Sequence, residues 1–242
     1  MEIKHPPACG IMMRTVCYES EAALAKAVCE TLVGALSQPA AVMLAGGSTP
    51  LAAYRQLAGL HPSVDAEAKL YFSDDRLVPP DHAQSNFKNI APLLEAAGIR
   101  PRQILRVRGE WPHAQAVDDY NVQLTALLDA GTPLSLGLLG LGADGHTASL
   151  FNAEDLRHGE GHCAIGVQRP DGLLGVSATP RVFHRIKRLL FIVSGAGKKE
   201  MARTLVHHPR TIAAGLAVQG HRGVELWTDR AAWPFDESAV ER

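Results

Sequence analysis

The triplet Asp144-Gly145-His146 carries the most chemistry in the chain. An unperturbed imidazole titrates near ~6.5, so it can take a proton at neutral pH. A carboxylate two residues away can orient that ring or hold a substrate hydroxyl. The triplet closes a run of small residues, Gly140-Leu141-Gly142-Ala143-Asp144-Gly145-His146. Two other runs share its character: Gly46-Gly47-Ser48-Thr49 and Ser194-Gly195-Ala196-Gly197-Lys198. Each of the three follows an apolar stretch and precedes a helical one. A helix start leaves backbone N–H groups unpaired and carries partial positive charge, which suits phosphate. Lys198 adds a full cation at one such start. A fourth group, Asp74-Asp75-Arg76, is followed by Pro79-Pro80, His82 and Ser85-Asn86. Its arginine suits bidentate contact with a phosphate or carboxylate.

Each of these groups also has an ordinary reading. Gly46 to Thr49 can be a tight turn with an N-cap serine, Lys198 a solvated lysine, and Asp74-Asp75-Arg76 a surface salt-bridge cluster. The first turn is no Walker loop, because no Lys-Ser/Thr pair follows at the required spacing. Gly140-x-Gly142-x-x-Gly145 matches the dinucleotide fingerprint literally. However, it falls late in the chain, and Asp144 and His146 would stand where a pyrophosphate must approach the backbone. The chain has 11 histidines, and none, including the pair His207-His208, shows metal-ligand spacing. His146 stands out because its loop places it beside two anion-suited junctions. No serine shows the G-x-S-x-G elbow of a nucleophile.

These loops need elements to hold them. Val16 to Tyr18 ends a first strand. Leu24, Val28, Leu32 and Leu36 recur every fourth residue and predict a helix from Glu21 to Leu36, with Ser20 as N-cap. Strands are predicted at Ala41–Ala45, Lys69–Ser73, Ile104–Val107, Leu134–Leu141, Ala164–Gln168, Leu174–Thr179, Leu189–Val193 and Val224–Trp227. Helices are predicted to open at Thr49-Pro50 and Thr147, and to cover Leu93–Ala97, Val117–Leu128 and Lys198–Val206. Asp74 to Asn86 reads as a polar loop, and Asn152 to His162 is the least legible stretch. Strands alternating with helices predict a mostly parallel sheet covered on both faces, in a single α/β domain over residues 1–242. The three small-residue loops then share the carboxyl edge of that sheet, where ligands bind near the switch in strand order.

Composition sets the outer limits. Lys plus Arg is 24 and Asp plus Glu is 25, which argues against a dedicated nucleic-acid or anionic-membrane binder. The longest apolar stretch, Leu134 to Ala143, falls well short of the ~20 residues a bilayer requires. The N-terminal Met-Glu-Ile-Lys-His-Pro-Pro has no apolar region of a secretory signal. Cys9, Cys17, Cys29 and Cys163 show no metal or redox spacing and read as reduced thiols of a cytoplasmic protein.

Taken together, these motifs resemble those of the 6-phosphogluconolactonases, within the glucosamine-6-phosphate isomerase/6-phosphogluconolactonase superfamily. Leu44 to Pro50 resembles the first motif of that family, and Ser73 to Pro79 with His82, Ser85, Asn86 and Phe87 the second. Gly140 to Phe151 is close to the signature ending D-G-H-T-A-S-L-F, and Val193 to Lys198 resembles the lysine-bearing fourth motif. The resemblance implies a Rossmann-like three-layer α/β/α sandwich without bound NAD. It implies hydrolysis of 6-phospho-D-glucono-1,5-lactone to 6-phosphogluconate, a step of the oxidative pentose phosphate pathway, with no cofactor or metal. By carry-over His146 is the general base, with Asp144 and Arg76 beside it in the catalytic site. Gly46, Gly47, Ser48, Thr49, Asp74, Asp75, Arg76, Ser85, Asn86, Gly145 and Lys198 would hold the phosphorylated sugar.

Three positions depart from the family pattern. Asp75 replaces a glutamate, Asn152 a proline, and Gly175 falls near the place of an arginine. For that arginine either Arg181 or Arg169 substitutes, or affinity is lower. Two other readings stand beside the lactonase. A glucosamine-6-phosphate deaminase/isomerase would carry I-A-F-N-E-P after Asp-Gly-His, whereas this chain has Thr147-Ala148-Ser149-Leu150-Phe151-Asn152. A non-catalytic sugar-phosphate sensor would not need the base.

Overall fold

Successive side chains of a strand go to opposite faces, and here apolar residues fill both. Val42 and Leu44 of β3 (Ala41–Leu44) enter one core, and Ala41 and Met43 the other. The same division holds for Leu70 and Phe72 against Tyr71 in β4 (Lys69–Phe72), and for Leu190 and Ile192 against Leu189, Phe191 and Val193 in β9 (Arg188–Val193). A sheet apolar on both faces must be covered on both, which makes the molecule an α/β sandwich. The computed structural model describes residues 2–4 and 13–235. Cys9 and most of the N-terminal stretch lie outside the described residues.

The main sheet contains β1 (Glu2–Lys4), β2 (Met13–Tyr18), β3, β4, β6 (Leu134–Leu139), β9 and β10 (Val224–Asp229), in the order β1-β2-β10-β9-β6-β3-β4. Only the β1–β2 pair is antiparallel. One core takes α1 (Glu21–Leu36), α2 (Ser48–Gly59) and α3 (Asn86–Ala96); the other takes α4 (His113–Asp129) and α7 (Lys199–His207). The chain runs outward from β3 to β4 and then returns to lay β6 on the other side of β3. The order therefore switches between β3 and β6, and the loops after these two strands face each other.

A second, three-stranded sheet departs from the parallel pattern. It pairs β5 (Asp74–Arg76), β8 (Leu174–Ala178) and β7 (Ala164–Gln168), all antiparallel. The turn between β7 and β8 is too short for a parallel crossover, so these strands can only form a hairpin. The polar loop expected after Ser73 is therefore a strand in its first three residues. Asp-Asp-Arg has little strand propensity of its own; its pairing with β8 imposes the extended form.

Other boundaries also moved. α3 begins at Asn86 rather than near Leu93, and Pro92 lies inside it. Ile104 makes only an isolated bridge to Leu70, not a strand. No helix starts at Thr147: Thr147 and Leu150 bridge across a tight turn in which Ala148 has φ +51°. The helix comes later, as α5 (Ala153–His158), with Asn152 as its cap. The Asn152 side chain accepts from Glu154 N and Asp155 N, a role that proline cannot fill. The remaining short helices are α6 (Pro180–Phe183) and α8 (Ala213–Ala217). Among the described residues no helix is long and apolar enough to cross a membrane.

Candidate active site

The turn after β3 is built by its glycines. Gly47 has φ +101° at the cap of α2, a backbone region that side chains rarely enter. Gly46 has no room for a Cβ, because the Asn86 amide occupies that space. Tyr54 pins the turn from below: its hydroxyl donates to Ala45 O at 3.0 Å and accepts from Ala45 N at 3.1 Å. Across the switch point the two turns come near each other: a Cβ on Gly140 would lie 4.0 Å from Gly46 O.

The loop after β6 folds back on itself. Gly142 N donates to His146 O at 2.8 Å, and Gly145 N to Gly142 O at 3.1 Å. Asp144 Oδ1 accepts from the His146 backbone N at 3.2 Å and lies 2.5 Å from His146 Nδ1. Burial pushes the Asp144 carboxyl up, but its hydrogen bonds from the His146 ring and backbone outweigh this and leave it below its ordinary value. An ionised carboxylate only accepts, so Nδ1 carries the proton. That tautomer leaves the lone pair on Nε2. The ring is 27% exposed and rests on Phe151, with centroids 4.7 Å apart. A Cβ on Gly142 would collide with both His146 Nδ1 and Asp144 Oδ1.

Alternation along β5 sorts the Asp-Asp-Arg group. Asp74 and Arg76 share one face, and Asp75 takes the other. Asp74 accepts from Ser73 Oγ at 2.8 Å and from Ser149 Oγ at 2.7 Å. Arg76 Nη1 donates to Asn86 Oδ1 at 2.9 Å, and Asn86 Nδ2 donates to Asp74 O at 2.8 Å. Asp75 is turned toward the start of α3. Its Oδ1 accepts from Arg76 N at 2.8 Å and Asn86 N at 2.7 Å, and its Oδ2 from Phe87 N at 3.1 Å and Ser85 Oγ at 3.2 Å. Burial dominates these donors and, with Asp74 beside it, pushes the carboxyl up to about 6.

A cavity of about 190 Å³ collects these groups. Gly46, Gly47, Asp74, Arg76, Asn86, His146 and Lys198 all line it. A histidine, a lysine and an arginine thus face one space. The other expected residues stand around it. Ser48 lines an adjoining groove that shares Gly46, Gly47, Arg76 and Asn86 with the cavity. Asp75 and Ser85 brace α3 from behind. Gly145, with φ +84°, leaves room for Ile212. Thr49 is buried and lies 2.7 Å from Ser194 Oγ, which in turn donates to Glu21 Oε1 at 3.2 Å. Since the single Ser194 proton goes to Glu21, Thr49 donates to Ser194. Its hydroxyl therefore clamps two loops together. In the lysine loop, the Gly195 N–H is taken by Asp229, at 3.1 Å from both carboxylate oxygens.

Sequence reasoning left Ser73, Ser149 and Phe151 without roles, because nothing local marks them. It left open which arginine stands in for Gly175. Arg169 lines the cavity, whereas Arg181 is exposed and bonds Gly161 O. Among the described residues no group of three or more His, Cys, Asp or Glu side chains could hold a metal ion.

The fold and the site find a match among known proteins. Residues 18–227 match the family model described as glucosamine-6-phosphate isomerases/6-phosphogluconolactonase. The chain is 35% identical over 173 residues to a 6-phosphogluconolactonase of Treponema pallidum, covering 69% of this chain and 72% of that one. It is 30% identical over 205 residues to the 6-phosphogluconolactonase of Haemophilus influenzae, covering 81% and 88%. The solved 6-phosphogluconolactonase of Trypanosoma cruzi shares the fold, with a TM-score of 0.78, 22% identity and coverage of 94% and 97%. The chain belongs to the glucosamine-6-phosphate isomerase/6-phosphogluconolactonase family.

Proposed function

We propose that this chain hydrolyses 6-phospho-D-glucono-1,5-lactone to 6-phospho-D-gluconate, a step of the oxidative pentose phosphate pathway. One observation carries the reading: His146, with its Nδ1 proton committed to Asp144, shares a small cavity with Arg76 and Lys198. The lactone is an activated ester, so a positioned base supplying ~10²–10⁴-fold is a large part of what the reaction needs. The cations and the N–H groups at the start of α2 hold the substrate phosphate. This fixes the lactone carbonyl, C1, near the Nε2 lone pair. Nε2 takes a proton from water as the water oxygen attacks C1. Loop N–H groups, or Arg76 where Lys198 and the start of α2 alone take the phosphate, meet the negative charge that develops on the carbonyl oxygen. The C1–O5 bond then breaks, the Nε2 proton passes to O5, and the acid product ionises.

The balanced charge of the chain, 24 basic against 25 acidic residues, supports a small-molecule enzyme rather than a nucleic-acid binder. The test is acid release from freshly generated 6-phosphogluconolactone, compared with unphosphorylated gluconolactone. The phosphorylated lactone should turn over far faster, and His146→Ala should abolish most of that turnover. Ammonia release from glucosamine 6-phosphate without acid release would instead assign the deaminase reaction. Ligand-induced melting shifts with neither reaction would indicate a sensor.

A further inference from the structure

A second cavity, of about 340 Å³, shares no lining residue with the first. One wall is a stripe of α3: Phe87, Ala91, Leu94 and Glu95, spaced as one helix face. The other wall is the chain that returns after α3. There Ile104, Arg106 and Arg108 line the groove and alternate with Leu105 and Val107, which pack into the core. Most of the lining is apolar, with a few charged groups at fixed places, as in small-molecule sites. The two ends differ in charge. Ile99 N donates to Leu94 O at 2.9 Å, so Glu95 stands at the turn that joins the walls. Arg106 Cζ lies 4.9 Å from the centroid of the Phe87 ring, so the arginines stand at the far end, ~12 Å away along α3.

Those two arginines are not equally satisfied. Arg106 gives both Nη atoms to Glu110, at 3.0 and 2.6 Å. Arg108 is half-buried, and its Nε is sealed from solvent with no hydrogen-bond partner. Its guanidinium makes no ion pair among the described residues and stands over Trp111, 5.7 Å from the ring centroid. One uncompensated cation therefore faces an apolar groove, and its terminal N–H groups are left for an anion. Both walls lead to Arg76. Phe87 N donates to Asp75 Oδ2 at 3.1 Å, and its neighbour Asn86 holds Arg76. On the other wall Gly109, next to Arg108, packs so closely on Val78 that no Cβ fits, and Val78 lies two residues beyond Arg76. A ligand that parts the walls shifts the seat of Arg76.

We propose that this groove is a second ligand site, for a small amphipathic anion with a flat apolar body and one carboxylate, sulfonate or phosphate group. Its occupancy is coupled to the hold of Arg76 on the substrate, whose identity rests on the function proposed above. The probe is anilinonaphthalene sulfonate, read by fluorescence beside phenylnaphthylamine, which lacks the sulfonate. The sulfonate should bind ~10–100-fold more tightly than the neutral dye, and Arg108→Gln should remove that difference. Ala91→Trp, which fills the groove, should abolish binding of both. 6-Phosphogluconate should change the sulfonate's affinity by a factor that saturates, and calorimetry should find the same factor in the reverse direction. Equal affinities for the two dyes, or binding untouched by Arg108→Gln, would overturn the site. So would displacement by 6-phosphogluconate that never saturates, since it places the dye in the first cavity. A saturating factor of one would overturn the coupling. Should Ala91→Trp fail to fold, Arg108→Gln decides alone. Should 6-phosphogluconate fail to bind, the proposed function fails; the two dyes still decide on the groove, and glucosamine 6-phosphate reads the coupling.

Discussion

His146 Nδ1 and Asp144 Oδ1 lie 2.5 Å apart on a loop that the two residues themselves close. The bond fixes which ring nitrogen is free. Asp144→Asn removes the obligate acceptor and lets the ring turn over to the other tautomer, so kcat should fall by ~10²-fold or more. KM should hold, because Asp144 is no part of the phosphate cluster. His146→Ala should lower kcat at least as far. Steady-state kinetics with binding of 6-phosphogluconate as control checks both, and a normal kcat in either variant removes the dyad.

Gly142 has no substitute beneath that dyad. Gly142→Ala should push His146 and Asp144 apart and cut kcat with little change in product affinity. The thermal midpoint should move little, since the loop is at the surface of the cavity. A variant with wild-type kcat would show that the ring has another productive position.

Lys198 should act through charge at the substrate's far end. Lys198→Met should raise KM ~10–100-fold for the phosphorylated lactone, since hydrogen bonds to charged groups are worth ~1.5–3 kcal/mol. The effect should shrink with added salt in the wild type, as screening weakens the cationic cavity. An equal loss with unphosphorylated gluconolactone would contradict this.

Asp75 couples stability to pH. Its carboxyl is pushed up to about 6 by burial, against an unfolded value of ~3.9. Between these values the folded chain binds more protons than the unfolded one, so stability falls as pH rises. The contribution is present below about pH 4 and lost as pH passes about 6, on the order of 3 kcal/mol in all. Denaturant midpoints from pH 4 to 7 should show this slope in the wild type and lose it in Asp75→Asn. Asp75→Ala should destabilise at every pH, because it strands the backbone N–H groups of Asn86 and Phe87.

Much of the architecture could be read from local pattern. The repeat of Leu24, Val28, Leu32 and Leu36 placed α1 to the residue, and Ser20 caps it as expected, accepting from Ala23 N at 3.2 Å. The apolar runs located β3, β6 and β9 because a strand buried on both faces leaves a strong local signature. What escaped was set from a distance. The start of α3 is stabilised by Asp75, eleven residues before Asn86 and on another element. The strand at Asp74–Arg76 exists because β8 pairs with it. In the site, Gly46, Gly47, Arg76 and His146 were legible as turn and charge chemistry. Arg169 was legible only as one of two stand-ins for the arginine absent at Gly175; the choice over Arg181 depends on which of them lines the cavity, fixed only by the folded chain.

Asn86 is at once the first residue of α3, the acceptor for Arg76 and the donor to Asp74 O. The guanidinium is therefore yoked to the helix axis. Any tilt of α3, whether from a changed residue at Pro92 or from pressure on its outer surface, drags Arg76 with it. Distant alterations along that helix will register as altered grip on the ligand.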